Sequence, residues 1–201
     1  MSFFERNRRA LADQGIDPAR LPPGQYATDR FPVLHVGEAP TVDLTTWTFT
    51  VFGLVDHEVV LSWPELLARP ATDVVTDIHC VTKWSKFDTT WTGVRLRDLI
   101  DAAGARPDAT HVVMHGEHGY TANLPLADVL VDDALLAYGF GGAPLEADHG
   151  YPARTLVPHL YLWKSVKWAR AIELVAADRP GFWERNGYHN DGDPWLEQRF
   201  S

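Results

Sequence analysis

Apolar positions in this chain recur at every second residue over short runs, and less often at helical spacing. Thr46–Val55 is dense in β-branched and aromatic residues, and Gly53 with Asp56-His57 offers a turn. That pattern predicts a strand, with Glu58–Leu61 returning as its hairpin partner. Ser62-Trp-Pro-Glu opens a short helix with Ser62 as N-cap and Pro64 in the first turn. Leu66 and Leu67 are expected to face the core. Thr72–His79 alternates and reads as a strand ending at Cys80. Leu96–Ala103 has helical spacing, and Gly104 follows as a C-cap. Thr110–His115 reads as a strand and Pro125–Leu130 as a helical turn or two. Leu135–Phe140, Gly141-Gly142 and Ala143–Glu146 read as a hairpin. Thr155–Leu162 is apolar, Ala171–Ala176 is a final strand, and Gly181–Tyr188 is a closing helical turn.

The first thirty residues differ. A short helix over Phe3–Gln14 is followed by a polar stretch punctuated by Pro18 and Pro22-Pro23. Residues 1–30 therefore read as an arm and 31–201 as the body. Many short strands with short helices between them, and no regular βαβ unit, predict the α+β class. Neither a GxGxxG nor a Walker loop is present, so nucleotide binding has no support.

Composition narrows the function. Hydrophobic residues make up 45% and charged residues 22%, which suits a globular core. The balance of 18 basic against 27 acidic residues gives −9. So acidic a chain is a poor candidate for neutralising phosphates on nucleic acid. It also has no reason to seek an anionic membrane. Charges run through the first dozen residues, and no apolar stretch nears the roughly 18 residues of a membrane helix. A cytoplasmic protein is the expectation. One cysteine, Cys80, excludes an internal disulfide and an all-cysteine iron–sulfur cluster, which needs about four thiolates.

Three groups could carry chemistry. Cys80 stands where a strand gives way to a polar segment, and Lys83 and Lys86 follow it. It reads either as a small buried hydrophobe or as a thiolate, which can be nucleophile or soft metal ligand. His149-Gly-Tyr-Pro-Ala-Arg154 and Ser165-Val166-Lys167-Trp168 bring His, Arg, Ser and Lys close in sequence. They read as an anion pocket or as solvated charges on turns. His111, His115 and His118 could join Cys80 around zinc, but their spacing matches no zinc motif. Satisfied imidazoles at a strand end are the plainer reading. A metal-free hydrolase or transferase would pair Cys80 with His79, His115 or His149.

In order along the chain, these pieces resemble the molybdenum-cofactor domain of the sulfite oxidase family. The anchors are Phe31–His35, Cys80 after a strand, and Trp91-Thr-Gly93-Val. Gly119-Tyr120-Thr-Ala-Asn-Leu-Pro125-Leu and Leu136-Ala-Tyr138 follow, then the two segments at 149–154 and 165–168. The resemblance implies mixed β-sheets with short surrounding helices and a molybdenum–molybdopterin cofactor. It makes Cys80 the protein thiolate on molybdenum, the pterin supplying two further sulfurs. It assigns His149, Arg154, Ser165 and Lys167, with the backbone near Val166, to the clamp on the pterin and its phosphate. His35 and His115 correspond to cofactor-contacting histidines, with His118 a nearby substitute for His115. Tyr120 corresponds to the active-site tyrosine.

The implied activity is two-electron oxygen-atom transfer on a small sulfur- or nitrogen-centred substrate. With no haem or cluster in the chain, electrons would pass to or from a separate carrier. A domain that binds the cofactor without turnover is the non-enzymatic alternative. The chain departs from the family at three arginine positions, which are Val33, Trp84 and Ser85 here. An aromatic mouth of Trp84, Phe87 and Trp91 would suit a neutral or organic substrate. The stretch Asn186–Ser201, with Trp195 and Phe200, fits either a cap on the site or an interface.

Overall fold

The computed structural model describes residues 3–201. Helix α1 (Phe3–Asp13) leads, by way of the arm, into β1 (Tyr26–Ala27). Next come β2 (Thr48–Gly53), β3 (Val59–Ser62), α2 (Trp63–Leu67), β4 (Thr72–His79), β5 (Trp84–Arg95) and α3 (Leu96–Ala103). Then follow β6 (His111–Gly116), β7 (Thr121–Pro125), α4 (Leu126–Val129), β8 (Leu135–Phe140) and β9 (Ala143–Pro144). The last strands are β10 (Arg154–Leu156) and β11 (Ala169–Val175).

Two sheets organise these elements, as the α+β reading expects. One has the order β3-β2-β11-β6-β7, with β2 and β11 parallel and the other pairs antiparallel. The other is built on β5, which pairs β4 on one side and β1 and β8 on the other. Strand β10 continues it beyond β8. Because β1 already pairs with Trp84 and Ser85, the arm joins the body before residue 31.

Local signals explain most elements. In β2, Phe49 and Val51 are fully buried while Thr48 and Gly53 are exposed. Helix α3 buries Leu96, Leu99, Ile100 and Ala103, one face at helical spacing, and stops at Gly104 with φ +71°. Helix α2 starts where the Glu65 carboxylate accepts from the amide and hydroxyl of Ser62. Leu66 is buried, but Leu67 is 46% exposed, contrary to expectation. One residue further along turns it about 100° round so short a helix, out of the core.

Strand β5 carries the site. Trp84 and Trp91 are an odd number of residues apart, yet both pack into one cluster with Ile78 and Cys80. A bulge permits this: the β4–β5 register shifts between Thr76 and Ile78, and Asp88 has φ +52°. Arg20 from the arm holds the bulge, bridging Asp77 and Asp88 at 2.6 Å each. The main core lies on the other side, where the five-stranded sheet and α3 pack against Val94 and Leu136.

Candidate functional site

A cavity of about 390 Å³ opens between residues 31–36, the turn after β4, the β6–β7 connection, the loop before β11 and the tail. Cys80 lines it. The residue begins a tight turn: its amide donates to Trp84 O at 2.9 Å, and its carbonyl accepts from the Lys83 amide at 3.0 Å. Gln25 Nε2 donates to the same carbonyl at 3.0 Å. The thiol is 3.1 Å from Thr82 Oγ1. Burial pushes its pKa up, opposed by the Thr82 hydrogen bonds and then by the charges of Lys167 and Arg199. Lys83 and Lys86, expected to favour the thiolate, are engaged elsewhere. Lys83 Nζ lies 5.9 Å over the Phe4 ring, and Lys86 Nζ donates to Asp29 O at 2.6 Å.

Arg154, Ser165 and Lys167 line the same cavity. The buried Arg154 guanidinium has no carboxylate partner among the described residues. It donates to the carbonyls of His149 and Ser165 at 3.1 Å each, and burial draws its pKa down to about 10. Lys167 Nζ donates to Asp148 O at 2.6 Å and Leu34 O at 3.0 Å. Burial, then the Arg154 charge, draws it down to about 7. Neither cation has a salt bridge among the described residues: Arg154 rests on carbonyls and the Trp91 ring, and Lys167 on carbonyls and the Trp168 ring, with only the Asp148 and Cys80 charges favouring its ammonium.

His35 lines the cavity, its Nδ1 2.8 Å from Gly37 O. His149, expected in the clamp, is not among the lining residues; it lines a separate cavity with Phe140 and Leu145, and only Phe31 is common to both. The His149 ring stacks on Phe31 at 3.9 Å and 9°, and its buried Nδ1 has no partner. Burial, then the charges of Lys167 and Arg154, lowers its pKa to about 4, so the ring is neutral at pH 7.

Two further assignments fall away from the cavity. His115 is not among its lining residues; Nε2 is 3.1 Å from Glu173 Oε2 and the ring lies near Phe52. His118, in the turn after β6, takes that place. Val166 is fully buried in the main core, and both its amide and its carbonyl bond to Thr155. Of the expected aromatic mouth only Trp84 lines the cavity. Trp91 is fully buried, and Phe87 lies under Arg20.

Tyr120 also lines the cavity, but its hydroxyl donates to Trp163 O at 2.7 Å. Burial and then Glu184 push its pKa far up. Tyr188 is the tyrosine that sequence reasoning missed. Its hydroxyl has no hydrogen bond within the described chain, and a Cys80 charge reaches it, adding to burial in raising its pKa. The signal was the aromatic density of the 181–188 segment. Of the stretch 186–201 only Tyr188 lines the cavity, while Trp195 and Phe200 are exposed.

The residues fit a metal that brings its own ligands. No group of three or more His, Cys, Asp and Glu side chains that could hold an ion exists among the described residues. One soft thiol does face the cavity, and the Lys167 charge reaches it. No histidine bonds to the thiol: His79 Nδ1 is 2.8 Å from Ser85 Oγ instead. Thiol–histidine hydrolysis therefore lacks its base, and the zinc grouping does not form.

The comparisons with known proteins agree. An uncharacterized oxidoreductase of Bacillus subtilis (strain 168), YuiH, is 49% identical over 200 residues, covering 99% of this chain and 98% of that one. Mitochondrial sulfite oxidase of Drosophila melanogaster is 36% identical over 107 residues, 49% of this chain and 19% of the longer protein. The sulfane dehydrogenase SoxCD of Paracoccus pantotrophus shares the fold at a TM-score of 0.65 and 23% identity, over 74% of this chain and 42% of that one. Residues 36–183 match the model of the oxidoreductase molybdopterin-binding domain, and the chain belongs to that family.

Proposed function

We propose that the chain is a mononuclear molybdenum oxidoreductase that exchanges an oxygen atom and two electrons with a small sulfur- or nitrogen-centred substrate. The observation that carries this is the opening of one thiol and two basic side chains without a salt bridge into one cavity. Arg154 and Lys167 would hold the anionic part of the pterin, with His35 and Ser165 at its sides. His149, neutral and outside the cavity lining, would act only through the Phe31 ring on which it stacks. Cys80 would ligate the metal, and metal binding would displace the thiol proton that burial favours. When bound, the molybdenum–pterin group supplies two-electron redox chemistry and oxygen exchange. Tyr188 takes over the role expected of Tyr120, because its hydroxyl is free to donate to a substrate oxygen. A separate electron carrier belongs to the same proposal; no helix among the described residues is long and apolar enough to cross a membrane.

The test is metal analysis and fluorescence of the released pterin on protein from a host that makes the cofactor. Both should approach one per chain. Cys80→Ser should keep the pterin, because the cations stay, yet lose turnover. Arg154→Ala should lose pterin. Full pterin occupancy in Arg154→Ala would remove this pocket assignment.

A further inference from the structure

The cavity has two unlike linings. Arg154, Lys167 and His35 form the one assigned above to the pterin. The other is a wall of Trp163, Phe182, Trp183 and Tyr188. Its rings brace each other. Trp183 stacks on Tyr188 at 4.7 Å and 18°, and Trp163 meets Tyr188 edge-on at 5.1 Å. Phe182 meets Trp183 edge-on at 5.1 Å. Behind the wall, Glu184 accepts from the Trp163 indole at 2.9 Å and pairs with buried Lys164 at 2.7 Å. The backing charges therefore cancel.

No idle cation serves this wall. The Arg199 guanidinium donates to Val81 O at 2.8 Å and Pro23 O at 3.2 Å, and lies 5.0 Å over the Tyr161 ring. Lys83 and Lys86 are turned away. Position 85 is a buried serine bound to His79, and Val33 is 46% exposed. Glu117, also on the cavity, is neutralised by Arg170 at 2.5 Å.

The geometry points to an uncharged organic substrate, an alkyl or aryl sulfoxide or N-oxide or its deoxygenated form. Its apolar flank would lie on Trp163, Phe182 and Trp183, and its oxygen toward the Tyr188 hydroxyl. Small oxyanions such as sulfite and nitrate are disfavoured. With Arg154 and Lys167 engaged by the pterin, an oxyanion sheds hydration here with no further guanidinium to replace it. A sulfoxide gains ring contact and one neutral hydrogen bond. The inference rests on the molybdenum–pterin reading for its chemistry. For binding it rests only on the chain's own rings.

The experiment uses full-length protein whose molybdenum and pterin contents are measured first. Binding of methyl phenyl sulfoxide, trimethylamine N-oxide, sulfite and nitrate is read by quenching of tryptophan fluorescence. Turnover of oxides is read with reduced viologen. Each S–O or N–O bond cleaved consumes two viologen radicals and two protons, and the oxygen leaves as water. Sulfite oxidation is read with ferricyanide, two reduced per sulfate formed from sulfite and water. Loaded protein should bind methyl phenyl sulfoxide at least about tenfold more tightly than sulfite or nitrate. Trp183→Ala should weaken sulfoxide binding by about tenfold at unchanged pterin content. Phe182→Leu should weaken it less, and reads the wall if Trp183→Ala does not fold. Equal or better binding of sulfite or nitrate by loaded protein overturns the inference and leaves the cofactor reading standing. So does sulfoxide binding indifferent to both variants. Protein without pterin overturns the cofactor reading, while ring-dependent sulfoxide binding to it still supports the wall.

Discussion

Burial, and then the positive charge of Arg154, draws Lys167 from the lysine value of 10.5 down to about 7. Between those values the unfolded chain holds a proton that the folded chain has released. Stability of the empty protein therefore rises with pH across that window as far as Lys167 decides it. An anion reverses the local preference, because its charge restores the ammonium. Binding above pH 7 then takes up a proton, and affinity falls as pH climbs. Sulfate is a clean probe, since its own charge is constant over this range. Calorimetry should show sulfate binding to empty protein weakening from pH 7 to 9. Lys167→Met should bind more weakly throughout, and its profile should be flatter. Parallel slopes in the two proteins would take Lys167 out of the anion site.

At the scale of elements, the contact of β5 with β8 shows how closely the strands behind the site are set. A Cβ at Gly93 would lie 2.4 Å from Leu136 O and 2.7 Å from Ala137 Cα. Neither atom is the end of a flexible side chain, so paired backbones would have to separate. Gly93→Ala should cost about 1–3 kcal/mol in urea unfolding. A midpoint equal to the wild type would mean that the sheet yields there more easily than its pairing suggests. The same strand marks what sequence reading reaches. The β2–β3 and β8–β9 hairpins, α2 and α3 announce themselves by local signals: a period, a cap, a glycine pair. Strand β5 does not, because its bulge breaks the alternation and Lys86 and Asp88 sit within it. β7 was hidden for want of any turn signal before it beyond Gly119. In the site, Cys80, Arg154, Ser165 and Lys167 were readable as ordered motifs. The exchange of His115 for His118 turns on how the chain leaves β6, where His118 has φ +57°. Tyr188 comes to line the same cavity as Cys80, 108 residues earlier in the chain, and no short-range pattern encodes that.

On the scale of the whole molecule, both ends of the chain converge on the turn that carries Cys80. From the arm, Gln25 donates to the Cys80 carbonyl, and the Tyr26 amide donates to Lys83 O at 2.8 Å. From the tail, Arg199 donates to Val81 O at 2.8 Å with its side chain only 9% exposed. The turn's own backbone bonds are two, Cys80 to Trp84 and Lys83 to Cys80, beside the thiol's contact with the Thr82 hydroxyl. Residues far apart in sequence therefore fix the direction of the one soft ligand. A charged hydrogen bond of this kind is worth about 1.5–3 kcal/mol. Arg199→Leu should lower stability by that order and loosen the turn, so iodoacetamide should label Cys80 faster in the empty protein. Gln25→Ala should act in the same direction with a smaller loss, its bond being neutral. Mass spectrometry of timed alkylation reads both. Labelling at the wild-type rate in both variants would show that the turn holds itself and that neither end of the chain aims the thiol.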